Sequence, residues 1–349
     1  MTDRVIVGSP SVLFLGAGAS QPYEKMLMGD FVRAFRKKNE RVSGGPAIPI
    51  PIPNRLLDAI CGKKEDLEFL IEELEILSSL DYLGRETFNS SPFGAIGKQD
   101  ERWPGVSQLA VEARSLLADL RKEVYLHYRT ISKPERTAIL KQPLTLLRNE
   151  HHPLVVFTTN YDPAVEKFCA NNQLRLIDGF VHDEQTQEYV WSRDAFDRFS
   201  GSPEKSLILF KLHGSTNWVR DQGRIVKSPA SIYDVLDPDY ENVMIYPATN
   251  KVATKEPYFT AYDYLERCLD ATTFCLVIGY SFRDYDTLMR FKSASLSNKR
   301  LKIGVLDPYA EKICSSLRLE GISADPVPYV FGGPQESEYL SLIRSMIRS

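Results

Sequence analysis

The sequence predicts an α/β protein: a parallel sheet with helices on both faces and a mainly helical insertion after the first strand. Three observations predict it. Five apolar runs of strand length, at 11–15, 154–158, 207–212, 275–279 and 301–306, are continuous rather than alternating, as strands buried on both faces read. Helical patterns lie between them, notably at 163–171 and 284–295. Each run ends in glycine, small polar or acidic residues, which is where an open α/β sheet holds its ligand. The architecture is therefore Rossmann-like.

The first run, SVLFL, feeds Gly16-Ala17-Gly18-Ala19-Ser20. A glycine turn at the carboxyl end of a strand lets backbone N–H groups approach a phosphate, and a following helix N-terminus adds partial positive charge. The turn lacks the third glycine of the GxGxxG pattern, so a plain strand-to-loop turn is an equal reading. About 140 residues then separate the first run from the second, far more than one crossover consumes. Within that gap Leu67, Leu70, Ile71, Leu74 and Leu77 recur at helical spacing, as do Leu109, Ala113, Leu116, Leu117, Leu120 and Val124. The sequence is thus expected to divide into a split nucleotide domain, 1–24 with 151–349, and a helical insertion, 25–150. The proline-rich stretch 43–54 reads as an extended linker or lid edge.

The second run ends in Thr158-Thr159-Asn160-Tyr161-Asp162-Pro163. Pro163 suits the first position of a helix, which makes Asp162 its N-cap. Asn160 has no such local duty, and its amide can both donate to and accept from a ribose hydroxyl or a water. The third run ends in Lys211-Leu212-His213-Gly214-Ser215, and His213 alone of five histidines stands at the carboxyl end of a central strand. Taken by itself, a strand-end histidine is more often structural than catalytic. The fourth run ends in Gly279-Tyr280-Ser281-Phe282, followed by Arg283-Asp284-Tyr285-Asp286, where one aspartate caps the next helix. The fifth ends at Asp307, whose carboxylate can accept from a ribose diol.

Composition narrows the class. Lys and Arg total 43 against 46 Asp and Glu, a net charge of −3, so no strongly basic surface for nucleic acid is indicated. The longest apolar stretch, 274–280, is about a third of the roughly 20 residues a spanning helix needs. With no signal-peptide layout at the N-terminus, the expectation is a cytoplasmic protein without membrane association. Five cysteines without a CxxC pair cannot form a zinc ribbon, and buried or incidental thiols are expected.

In that order GAGAS, TTNYD, KLHGS and IGYSF resemble the sirtuin-like NAD-binding family, and most closely its bacterial members that hydrolyse NAD in anti-phage defence. The resemblance implies that Gly16, Ala17, Gly18 and Ser20 embrace the pyrophosphate and neighbouring ribose. It places Asn160 at the nicotinamide ribose, with Thr159 and Asp162 in the same binding loop, and makes His213 the general base. Gly279 and Ser281 would contact the adenosine half, and Asp307 the adenine ribose. Two departures from the deacylase pattern stand out: Gln21-Pro22-Tyr23-Glu24 replaces the GIPDFR-like stretch, and the four-cysteine zinc ribbon is missing, so no metal is expected.

The implied reaction is hydrolysis of NAD+ to nicotinamide and ADP-ribose. Nicotinamide leaves a pyridinium as a neutral molecule, so the paired carboxylates of ordinary glycosidases are unnecessary. Asn160 would orient water or ribose, and an imidazole with an ordinary pKa of about 6.5 can take the proton. The alternatives are protein deacylation or ADP-ribosyl transfer, in which an acyl or protein nucleophile replaces water, and a non-catalytic NAD or ADP-ribose sensor. The resemblance further implies a homo-oligomer, control by assembly with the insertion as oligomer contact or gate, and an ATPase, helicase, Argonaute-type or phage-derived partner.

Overall fold

A computed structural model describes residues 6–41, 52–89, 106–197, 202–228, 241–245 and 255–348. The chain divides into two compact units, one formed by Met1–Lys25, Tyr128–Ile245 and Lys251–Ser349, the other by Met26–His127 with Tyr246–Asn250.

The first unit is built on a seven-stranded sheet. Its strands are β1 (Ser11–Leu15), β2 (Leu154–Thr158), β3 (Arg175–Ile177), β6 (Ser206–Lys211), β10 (Phe274–Ile278), β11 (Lys302–Leu306) and β12 (Asp325–Val327). They run in the order β12-β11-β10-β1-β2-β6-β3, and every pairing is parallel. Strand order therefore reverses at β1, which has β2 on one side and β10 on the other. That reversal is the topological switch point of a doubly wound sheet, beside which ligands bind.

Alternation along β1 divides the core. Val12 and Phe14 join one apolar layer with Ala261, Leu265, Phe291 and Cys314, from helices α8 (Tyr258–Ala271), α9 (Tyr285–Ser297) and α10 (Ala310–Leu319). Leu13 and Leu15 join the other with Leu144, Leu147, Val165, Phe168, Tyr339 and Ile343, from α5 (Lys141–Leu147), α6 (Ala164–Asn171) and α11 (Glu336–Arg348). The C-terminal helix thus closes on the sheet, with Tyr339 and Ile343 fully buried.

Two further elements belong to this unit. A five-stranded antiparallel sheet runs β4-β5-β8-β7-β9, from β4 (Phe180–Asp183), β5 (Glu188–Trp191), β7 (Trp218–Asp221), β8 (Arg224–Lys227) and β9 (Glu241–Asn242). Trp218, Ile225 and Val243 pack there with Phe180 and Trp191. A short helix, α7 (Asp194–Asp197), buries Phe196 against Phe210, with ring centroids 4.6 Å apart. The sequence reading found five strands and missed these short ones. Strands of two to four residues with half-exposed, polar-rich patterns, such as FVHD and EYVW, lack the apolar continuity that marks a buried strand.

The second unit is helical. It holds α1 (Met28–Arg41), α2 (Ile52–Cys61), α3 (Leu67–Asn89) and α4 (Val106–Tyr128), the last running one residue beyond it. The leucines picked out by helical spacing are its core: Leu70, Ile71, Leu74, Leu77, Ala113, Leu120 and Val124 are all fully buried. This unit begins at 26 but ends at 127, short of the expected 150. The reason is apolar: Ile131, Leu140, Leu144 and Leu147 are buried in the layer that covers Leu13 and Leu15. Of the stretch read as an extended linker, 43–51 lies outside the described residues, while residues 52–54 open α2. Pro53 is accommodated because the first turn of a helix has no acceptor for its missing N–H.

The five cysteines are free thiols, and all are buried. Burial pushes the Cys169 thiol up to about 12, so it is an inert packing group. Among the described residues no helix is long and apolar enough to cross a membrane, and no group of three or more His, Cys, Asp and Glu side chains could hold a metal ion.

At the switch point the two loops approach closely. A Cβ on Gly279, whose φ is +63°, would stand 2.3 Å from the Ala19 nitrogen. Gly279→Ala should therefore destabilise the protein by about 3 kcal/mol or more, since left-handed strain and a backbone clash add. Thermal unfolding should show a Tm lower by several degrees, while Gly223→Ala, where φ is also positive but nothing lies within 4 Å, should fall much less.

Candidate functional site at the carboxyl edge of the parallel sheet

The strand ends are level. Leu15 pairs with both Thr158 and Ile278, Thr158 with Lys211, and Ile278 with Leu306. Consequently Gly16, Thr159, Gly279 and Asp307 each stand one residue past a paired position. Asn160 and His213 stand two residues past the paired positions of adjacent strands.

The glycine turn is shaped first by its neighbour. Gly16 N–H donates to the Ile278 carbonyl (2.9 Å) and Gly18 N–H to the Gly279 carbonyl (2.8 Å). A Cβ on Gly16 would lie 2.6 Å from the Gly279 oxygen, and one on Gly18 2.7 Å from the Gly279 Cα. The glycines are thus required by packing between two loops, the plainer of the two sequence readings. Beyond Gly16 the chain winds into a 3₁₀ turn, Ala17–Tyr23, rather than an α-helix. Ala19 N–H returns to the Gly16 carbonyl (3.0 Å), so Ala17 presents the leading N–H of that turn.

Asn160 is fixed tightly. Its backbone N–H donates to Thr158 Oγ1 (3.0 Å), and Thr158 Oγ1 donates to the Leu15 carbonyl (3.0 Å). Its Nδ2 donates to the Gly16 carbonyl (2.8 Å) and to Ser20 Oγ (2.9 Å). A carbonyl can only accept, which settles the amide orientation and leaves Oδ1 as the outward-facing atom. The sequence reading allowed this amide to donate or accept; both its donors are spent within the protein, and an acceptor remains. Thr159 contributes its backbone N–H to the Leu15 carbonyl (3.1 Å).

Behind Asn160 lies a chain of polar groups. Ser20 Oγ accepts from Asn160 and donates to Asp162 Oδ2 (2.6 Å), while Asp162 Oδ1 accepts from the Ala164 N–H (3.0 Å). Helix α6 starts at Ala164 with Pro163 in the cap position, one residue later than expected, so Asp162 holds the first turn from outside it. Burial pushes the Asp162 carboxyl above the usual carboxylate range; Lys211, Ser20 and the Ala164 N–H pull it back without cancelling that effect. Lys211 is itself buried, and its Nζ donates to the Asp162 carbonyl (2.6 Å), the Tyr161 carbonyl (3.3 Å) and Glu166 Oε1 (3.0 Å). This ties the end of β6 to the loop after β2.

His213 is 5% exposed, and its Nε2 lies 3.0 Å from Asp284 Oδ2. Its carbonyl accepts from the Ile245 N–H (2.9 Å), and the Ile245 carbonyl accepts from Tyr161 OH (2.5 Å). Residue 245 therefore links the loop carrying Asn160 to the loop carrying His213. The sequence offers Asp284 or Asp286 as a helix cap and gives neither a place in the site. Asp284 is the cap, accepting from the Asp286 N–H (3.1 Å), but the contact with a histidine 71 residues away carries no local sequence signal. Lys211 and Tyr262 were missed for the same reason.

Gly279 joins the edge through its N–H to the Leu306 carbonyl (3.0 Å). Ser281 is exposed. Asp307 is half-buried, its carboxyl raised mainly by burial, and Oδ1 accepts from the Tyr309 N–H (2.8 Å) in a turn leading into α10. Phe282 adopts a left-handed φ of 58°, with its ring held 5.0 Å from Tyr280 and 5.1 Å from Phe291. Such backbone strain in a non-glycine residue costs about 1–3 kcal/mol and needs packing of this kind to hold it.

The class this defines is an open α/β sheet with polar side chains gathered at the carboxyl ends of the strands about its switch point. Residues 154–314 match the family model of the SIR2-like domain, and over that stretch the chain is similar to the sirtuin-like family. The match begins at β2, so the glycine turn after β1 precedes it. Among solved structures, one similar to this chain is a Sir2 homologue in complex with NAD. It is 13% identical, with 99% of this chain and 93% of that chain covered and a TM-score of 0.43. Another is a Sir2 homologue with a serine-to-alanine substitution in complex with ADP-ribose, 12% identical, with 99% and 95% covered and a TM-score of 0.41. No curated protein matches the sequence.

The raised Asp162 carboxyl sets a sign. Its contribution to stability is complete below the unfolded pKa of about 3.9 and is lost as pH rises through the higher folded value. Asp162→Asn removes that loss. The Tm deficit of the variant against wild type should be largest near pH 4 and shrink as pH rises towards 7, measured by scanning calorimetry at a series of pH values. A deficit that grows with pH would contradict the assignment.

Proposed function

We propose that this carboxyl edge binds NAD+ and hydrolyses its nicotinamide glycosidic bond, releasing nicotinamide and ADP-ribose. The observation that carries this reading is the pairing of Asn160 and His213 at one level of the sheet edge, with the Asn160 amide anchored so that its oxygen alone faces outward. An outward acceptor suits a ribose hydroxyl or the O–H of an attacking water, and would repel a phosphate oxygen. Gly16, Ala17, Gly18 and Ser20 in the turn after β1, with Thr159 in the loop after β2, would hold the pyrophosphate and nearby ribose. Gly279, Ser281 and Asp307 would serve the adenosine half, Asp307 through the carboxylate oxygen not engaged by Tyr309.

In the reaction a water oxygen bonds to C1′ of the nicotinamide ribose as the C1′–N bond breaks. The electron pair of that bond passes to the ring nitrogen and neutralises the pyridinium, so nicotinamide leaves without protonation. The proton lost by water goes to His213 and then to solvent. Asn160 orients, and Asp162 acts through Ser20 by holding Asn160. An NAD-consuming enzyme is also the activity class to which a SIR2-like domain points.

The decisive assay uses purified protein and NAD+ with no protein substrate. Wild type should release nicotinamide, His213→Ala should lose about 10²–10⁴-fold in kcat, and Asn160→Ala about 10²-fold. Binding of NAD+ to His213→Ala by calorimetry should stay close to wild type. Nicotinamide release that appears only when an acylated peptide or a protein acceptor is added would replace hydrolysis with transfer.

Its biological setting, on the resemblance of the ordered loops, is an NAD-depleting effector of anti-phage defence acting as a homo-oligomer. Cells expressing wild type should lose NAD+ on phage infection, while cells expressing His213→Ala keep it. Equal NAD+ in both would remove the defence role and leave the hydrolase.

A further inference from the structure

The geometry points to Asp284 as the residue that orients His213 for catalysis, a positioning role that rests on the reading of His213 as the base. A helix cap needs one carboxylate oxygen, and Asp284 Oδ1 supplies it to the Asp286 N–H at the start of α9 (3.1 Å). Nothing about capping requires the second oxygen to be buried. Yet Oδ2 is turned inward, accepting from Thr287 Oγ1 (3.0 Å) and Tyr262 OH (3.3 Å) and facing His213 Nε2 at 3.0 Å. The two side chains are 6% and 8% exposed.

Chemistry then fixes the ring. A carboxylate only accepts, so the nitrogen that faces it carries the hydrogen, and the lone pair of neutral His213 lies on Nδ1. The proton taken from water therefore goes to Nδ1, while the one on Nε2 stays in its bond to Asp284. The carboxylate also offsets the positive charge the ring acquires. Because Tyr262 belongs to α8 and Thr287 to α9, two helices hold the carboxylate that holds the ring.

Asparagine separates the cap from the positioning role. It caps as well as aspartate does, but has one acceptor where Asp284 uses two. With its oxygen kept at the Asp286 N–H, its NH₂ meets the ring, and Nε2 must accept while Nδ1 takes the hydrogen. The base is then lost from an otherwise intact fold.

The test compares wild type, His213→Ala, Asp284→Asn and Thr287→Val in NAD-only turnover. It adds NAD+ binding and the ¹⁵N signals of the His213 ring. Asp284→Asn should lower kcat by about 10²–10⁴-fold with KM within threefold, and the ring signals should show the tautomer exchanged. Thr287→Val, which leaves the cap untouched, should lower kcat severalfold with KM unchanged, and it decides the matter if Asp284→Asn does not fold. If His213→Ala is inactive while Asp284→Asn, or in its place Thr287→Val, turns over at the wild-type rate, Asp284 only caps and the proposal is overturned. If His213→Ala itself turns over like wild type, the base reading has failed and the proposal falls with it.

Discussion

The contact between two glycine turns at the centre of the sheet is the constraint on which the site depends. Gly16 and Gly18 lie so close to Gly279 that no side chain fits between them, and their N–H groups bond to carbonyls at the end of β10. This seam fixes the height of the loops on either side of the switch point. From it the Gly16 carbonyl is presented to Asn160, and the 3₁₀ turn carries Ser20 to Asp162. A substitution at the seam would shift the amide on which the polarity of the carboxyl edge rests.

Two polar assemblies flank that seam, and they differ in kind. On the β2 side, Asn160, Ser20, Asp162 and Lys211 form a continuous run in which each donor meets an acceptor. A run of this sort is worth more than its separate bonds because a buried polar group left unpaired costs about 1–3 kcal/mol. The second assembly joins the loop after β6 to the helix after β10, where His213 and Asp284 form a compact pair backed by two hydroxyls. The first assembly sets the direction of a neutral amide; the second sets where a ring nitrogen keeps its hydrogen.

Much of this was legible in the sequence, and the physical reason is continuity. Strands buried on both faces must be apolar throughout, so SVLFL, LVVFT and CLVIG identified β1, β2 and β10 at once. Helical spacing likewise found the buried leucines of α3 and α4. The short strands of the antiparallel sheet escaped because half of each faces solvent and no apolar run results. In the site, residues adjacent to a strand end were found by position. A capping aspartate at 284 or 286 is legible, but the second oxygen of Asp284 acts across 71 residues of sequence, and Lys211 bonds through its tip to the carbonyl of a different loop. Contacts made by folding alone leave no spacing to read. GAGAS adds a contact that spacing does not announce: the room left by the missing Cβ atoms of Gly16 and Gly18 is taken up by Gly279 and its neighbour.

The seam joins the beginning of the chain to a point far along it. During synthesis, β1 emerges early and waits, its turn without the neighbour that shapes it, until the ribosome has produced β10 and Gly279. His213 is made before Asp284, and so has no carboxylate behind its ring until α9 begins. No fragment that stops short of this region contains the whole polar edge. Under the proposed activity, whose substrate would be present wherever the chain is made, the order of the strands is a form of timing: the polar edge is assembled only once both halves of the sheet exist.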